Sequence, residues 1–137
     1  FALLMSFSIL QAAKSQNLFD EKVKCQKLGE EYVRTSAIVG PYWFQTYKTN
    51  VHQKLGNCYL LIENTTANTE LLEYKSNAYL FDGITHEQLA WAYYEKNKSN
   101  KKEIKTGMIY DKYYTGEFPY NYEIIWKYID DKMITER

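Results

Sequence analysis

The chain has 137 residues, and 17 Lys plus Arg balance 17 Asp plus Glu, so its formal net charge is zero. That length suits one domain with a single core. The neutral balance gives no basic surface, so nothing favours a nucleic-acid partner. Hydrophobic content of 45% and charged content of 25% are ordinary for a globular protein.

Residues 1–13 carry no charge and end in Ala12-Ala13; from Lys14 the chain turns polar at once. That pattern predicts the apolar core and small-residue end of a secretory signal peptide whose basic start, with its Met, is missing. Phe1 to Leu10 is too short to span a bilayer, which needs roughly 20 residues. The expected division is a signal remnant over 1–13 and a single globular domain over 14–137. The bland alternative is a buried N-terminal helix. Ala13 would precede the cut, but Gln11 is a poor residue near one, so the site stays open. No Cys follows the apolar run, and no later stretch has transmembrane length. The expected location is therefore outside the cytoplasm, periplasmic or secreted.

Residues 17–34 predict an amphipathic helix. Leu18, Cys25, Leu28, Tyr32 and Val33 share one face, with Phe19 and Val23 beside it. Lys24, Lys27, Glu30 and Glu31 lie opposite, and Gly40-Pro41 should follow its end. Strands are expected next: Tyr42–Tyr47, Cys58–Ile62, Glu70–Tyr74 and Asn77–Asp82. Asn64–Asn68 has the composition of a turn. In 84–96, Leu89, Trp91 and Tyr93 alternate with Ala90, Ala92 and Tyr94, which favours a strand. Thr85 to Gln88 could instead be a capping box opening a helix. Residues 95–103 read as a charged loop and 106–114 as the last strand. Phe118, Tyr122, Ile125, Ile129 and Met133, with Trp126 beside them, predict a helix over 118–134 with Pro119 in its first turn. The fold class expected is α+β: an N-terminal helix, an antiparallel sheet of four or five strands, and a C-terminal helix.

Cys25 and Cys58 are the two cysteines. In an exported chain they most simply form one disulfide, tying the first helix to the sheet. No Cys-x-x-Cys pair suggests a redox role. With His52 and His86 they could form a Cys2His2 zinc set, but the spacings match no finger or ribbon. A Cys–His nucleophile would need a free thiol. No Gly-x-Ser-x-Gly elbow or phosphate-cradling glycine loop is present. Asp82 with Glu87, or Asp130 with Asp131, could act as a carboxylate pair, though adjacent acids on a helix surface are usually just solvated. Hence no catalytic residue, metal or cofactor is assigned. The 14 tyrosines read either as strand residues with a polar tip or as rings for stacking on a ligand. Lys96, Lys98, Lys101, Lys102 and Lys105 make a basic stretch, interrupted by Glu95 and Glu103. Asn64-Thr-Thr66 and Asn97-Lys-Ser99 are glycan acceptors if the source is a eukaryote.

Tyr47-Lys-Thr-Asn-Val-His52-Gln-Lys-Leu-Gly-Asn-Cys58-Tyr-Leu-Leu, with Leu80-Phe-Asp82 and Leu89-Ala90, resembles a group of uncharacterised bacterial exported proteins. These carry an early helical Cys and a Tyr-x-x-His-Tyr-Asn-x-Lys-Leu-x-Lys-Cys-Phe segment. Tyr47, Lys54, Leu55, Cys58, Tyr59 and Asp82 match. Asn50, Val51 and His52 stand where the group has His, Tyr and Asn, and Asn57 stands for Lys. A second Cys pair found in many relatives is missing, and the resemblance implies no activity. Gly40-Pro-Tyr-Trp43-Phe-Gln-Thr-Tyr47 is loosely similar to the first strand of lipocalins.

Three functions are therefore expected in order: interaction with a protein or envelope partner, a lipocalin-like small-molecule carrier, and a carboxylate-dependent hydrolase. The candidate partner surface runs through Tyr47, His52, Lys54 and Tyr59, with Asp82 at the neighbouring turn. The competing reading makes Lys54 solvated, His52 a loop residue, and Tyr47 and Tyr59 packing residues.

Overall fold

A computed structural model describes residues 2–36, 44–52, 56–68, 70 and 72–134. Its elements run α1 (Ala2–Ser36), β1 (Phe44–Val51), β2 (Cys58–Asn68), β3 (Glu73–Asp82), β4 (Gln88–Asn97), β5 (Lys102–Ile109) and α2 (Tyr122–Met133). The strands form one antiparallel meander in the order β1-β2-β3-β4-β5. This is the α+β arrangement expected, with five strands.

The sheet's two faces are made by alternation. Ala90 and Ala92 point to one side, with Leu61, Leu80, Ala78 and Ile109, and there they meet Ile125, Tyr128 and Ile129 of α2. Small residues in this row let the helix approach. A Cβ on Gly107 would run into the Trp91 carbonyl and lie 2.9 Å from Ile125 Cδ1. The large partners Trp91 and Tyr93 occupy the other side. α2 begins at Asn121, whose side chain accepts from Ile124 N at 2.9 Å, with Glu123 in the first turn and Lys132 in the last. Each favours the helix end it occupies.

α1 packs on the opposite face, against β1 and β2. Cys25 and Cys58 are disulfide-bonded with Cα atoms 5.5 Å apart, and they cluster with Val51 and Leu18. Gly29 lets the helix lie close to Thr49 and Leu60. Tyr32 then packs at a tilt against His86 and Phe81, ring centroids 4.4 and 5.4 Å away.

Several expected boundaries move. α1 is one helix from Ala2, about 52 Å long at 1.5 Å per residue, and every side chain from residue 9 to residue 17 is exposed. β2 continues through the expected turn Asn64–Asn68, because those residues pair with β1 or β3. β3 is one strand where two were expected. β5 ends at Ile109, earlier than expected. The charged loop shrinks to a tight turn in which Asn97 Oδ1 accepts from Ser99 N at 2.9 Å. Thr85–Gln88 opens no helix: Thr85 and Ile84 donate their amides to Asp82 Oδ1, and β4 starts at Gln88. Pro119 precedes α2, and Phe118 is 82% exposed rather than part of its stripe. Tyr42 and Trp43 lie outside the described residues.

Candidate functional site

β1 is an edge strand, and its hydrogen-bonding pattern tells which of its groups face outward. His52 N donates to Asn57 O at 3.0 Å, which makes that a hydrogen-bonded pair. The register then makes Asn50–Tyr59, Lys48–Leu61 and Thr46–Glu63 hydrogen-bonded pairs as well. Val51, Thr49, Tyr47 and Gln45 occupy the alternate pairs and turn their N–H and C=O groups away from the sheet. Among the described residues no strand pairs with that edge.

A recess flanks the edge on each face. On the α2 side, about 420 Å³ opens between Lys48, Leu61 and Glu63 of the sheet and Trp126, Asp130 and Met133 of the helix. On the α1 side, about 220 Å³ lies between Lys22, Gln26 and the strand residues Thr49 and Val51. The first is held open by two anchors. Asn50, buried, donates its side-chain amide to Lys132 O at 2.8 Å, which fixes the last turn of α2 to β1. The Lys132 ammonium lies 5.5 Å from the Tyr59 ring centre and 5.4 Å from that of Tyr128, a cation–π arrangement. Tyr128 in turn donates its hydroxyl to Asp111 Oδ2 at 2.6 Å. Burial, then that hydrogen bond, pushes the Tyr128 phenol well above the ordinary tyrosine range. The second recess is fixed by the disulfide, since Cys25 is part of its wall.

The α2-side recess mixes apolar walls with charge. Glu63 and Asp130 bring two carboxylates and Lys48 one ammonium. Neither carboxylate meets a cation at ion-pair distance among the described residues. Among the described residues the lining sets no nucleophile on a base.

The surface expected from the sequence does not assemble on one face. Tyr47 pairs with Ile62 and Tyr59 with Asn50, so the two tyrosines point to opposite sides. Tyr59 is buried in the α2-side core, and Tyr47 is 39% exposed. His52 closes the β1–β2 hairpin, accepting from Gly56 N at 2.7 Å. Asp82 is taken up in shaping the β3–β4 turn, and Lys54 lies outside the described residues. Of the carboxylate pairs, Asp130 lines the recess while Asp131 is exposed outside it. Both sulfurs are in the disulfide, which leaves no thiolate for zinc or for a nucleophile. Among the described residues no group of three or more His, Cys, Asp or Glu is placed to hold a metal.

Lys48, Glu63, Trp126 and Asp130 escaped the sequence reading as a group. Trp126 beside the α2 stripe was the available signal. A second, half-buried aromatic region, on the α1 side of the sheet, carries Tyr79, Trp91 and Tyr93 with the exposed Met108. Two of its polar atoms are bonded internally, Trp91 Nε1 to Asn77 and Tyr93 to Glu95. Edge β1, by contrast, offers backbone that no strand among the described residues pairs with. No helix among the described residues is long and apolar enough to cross a membrane. Compared with protein-family models, curated proteins and solved structures, the chain has no match.

Proposed function

We propose that this is an exported, disulfide-stapled interaction domain that holds a protein partner at edge β1 instead of performing catalysis. The observation that carries this reading is the pair of recesses on the two faces of one edge strand. Export is supported by the disulfide, which persists in oxidising compartments, and by the exposure of residues 9–17, which add nothing to the core. On this reading the chain stands with the small exported bacterial proteins that pair an early helical Cys with a strand Cys. An open five-stranded sheet favours this function over a lipocalin-like carrier, whose ligand sits inside a closed barrel. The part Asp82 plays in its turn weighs against a hydrolase built on that acid.

The test is photo-crosslinking of the full chain in its source organism, with p-benzoylphenylalanine in place of Lys48 or, as a remote control, Tyr113. The expected result is one protein adduct from position 48 that position 113 does not give. Glu63→Lys with Asp130→Lys, checked for an unchanged circular dichroism spectrum, should remove it. An adduct equal from both positions, or indifferent to charge reversal, refutes the reading.

A further inference from the structure

The reading of edge β1 as the contact region has a more specific consequence, which rests on it. We propose that β1 accepts an extended segment of a partner as a sixth strand, with a Lys or Arg side chain of that segment filling the α2-side recess.

The backbone argument comes first. Gln45, Tyr47, Thr49 and Val51 present outward N–H and C=O groups at every second residue. An added strand satisfies them by continuing the ladder. Its side chains then alternate between the two faces of the sheet. One set falls beside Lys48 and Asn50, on the face where the larger recess opens. The other falls beside Thr49 and Val51, on the face of the smaller recess. A lone cavity on one side would suit any small ligand. Two cavities of different size on opposite faces of one strand edge match the geometry of an extended chain.

Charge selects the occupant. Leu61, Trp126 and Met133 provide an apolar channel, with Glu63 and Asp130 beside it and one Lys48 opposing them. A long aliphatic stem ending in a cation buries its methylenes along such a wall while its head reaches the acids. A guanidinium can also stack on the indole of Trp126. The smaller recess carries Lys22 and Gln26 and takes a small or acidic neighbour.

The experiment is calorimetric titration of the full, oxidised chain with capped peptides of alternating Thr and Val around a central Arg. Matched peptides carry Glu or norleucine at the centre, and another carries N-methyl groups on the amides of the edge that would meet β1. The expected order is Arg tightest, with Glu weaker by about tenfold or more, as one unfavourable close charge contact implies. N-methylation should abolish binding. Glu63→Gln with Asp130→Asn should weaken the Arg peptide and leave the norleucine peptide unchanged, which separates lost charge from lost fold. Equal binding of the Arg and Glu peptides overturns the cation assignment. Unaffected binding of the N-methylated peptide overturns strand addition. No binding at about 1 mM, the weak end of measurable affinity, also overturns the inference, while a charge-sensitive crosslink from Lys48 would leave the broader reading standing. A chain that dimerises through β1 in sedimentation, and so excludes the peptide, assigns the edge to a second copy and overturns the proposal.

Discussion

Replacing Cys25 and Cys58 together by alanine should loosen α1 and leave the sheet and α2 assembled. The disulfide closes a separation of 33 residues, for which chain entropy gives about 3.5 kcal/mol as an upper value. Other contacts holding α1 are few: Leu18 in the small cluster, Gly29 close to Thr49 and Leu60, and Tyr32 on Phe81 and His86. The larger cluster, built by α2 and the sheet, contains no residue of α1. Cys25 and Cys58 are only 2% and 5% exposed, so the alanines also leave a small void, which adds to the loss. At a urea slope of about 1–3 kcal/mol/M, a loss near 3.5 kcal/mol lowers the midpoint by about 1–3 M. The sharper assay is amide hydrogen exchange. Residues 18–34 should lose protection by up to about 300-fold, the equivalent of that free energy, while β3, β4 and α2 keep theirs. If α2 and β4 lose protection in the same proportion as α1, the staple serves one cooperative unit and the separate loosening of α1 is refuted. An unmoved midpoint refutes the magnitude.

Three further outcomes follow from the packing. Gly107→Ala forces a methyl toward the Trp91 carbonyl and Ile125 Cδ1, and should cost about 1–3 kcal/mol, measured as a lowered thermal midpoint. Tyr128→Phe removes the 2.6 Å bond to Asp111, and should cost about 1–2 kcal/mol; in an Asp111→Asn background the same change should cost less. Burial, then the hydroxyl bond and charge of Glu95, raises Tyr93 from 10.0 to about 12. The folded state thus favours the protonated phenol, a contribution complete below pH 10 and lost as pH rises through about 12. Tyr93→Phe should flatten the fall in stability over that window, and an unchanged slope would disprove the assignment.

The parts of the fold legible in the sequence are those whose pattern repeats locally. Ile125, Ile129 and Met133 follow one helical stripe and pack as that stripe requires. In β4 the alternation of Ala90 and Ala92 with Leu89, Trp91 and Tyr93 identified a strand, against the capping-box signal at Thr85. What failed was set by distant partners. Asn64-Thr-Thr-Ala-Asn68 has turn composition, yet all five residues pair with β3 and Asn64 and Thr65 with β1 as well, so pairing overrides propensity. Phe118 fits the α2 stripe by spacing. Asn121, a stronger start signal, caps the helix three residues later.

The candidate site was hidden for a related reason. Proximity in the sequence groups Tyr47, His52, Lys54 and Tyr59. Strand parity decides which side of a sheet a residue serves, and it sends Tyr47 and Tyr59 to opposite faces. The recess at edge β1 depends on a different contact. The Asn50 side chain meets the Lys132 carbonyl across a separation of 82 residues, bringing Trp126 and Asp130 over the edge that carries Lys48. Neither segment alone has the pattern of a site: one reads as an edge strand with a lysine, the other as a core helix with an acidic outer face. Only their packing puts an outer strand edge, an apolar channel and two carboxylates with no ion-pair partner among the described residues at one place. The function proposed is therefore a property of tertiary pairing, and substitutions at Lys48, Glu63 and Asp130 test it more directly than any change within the sequence motif.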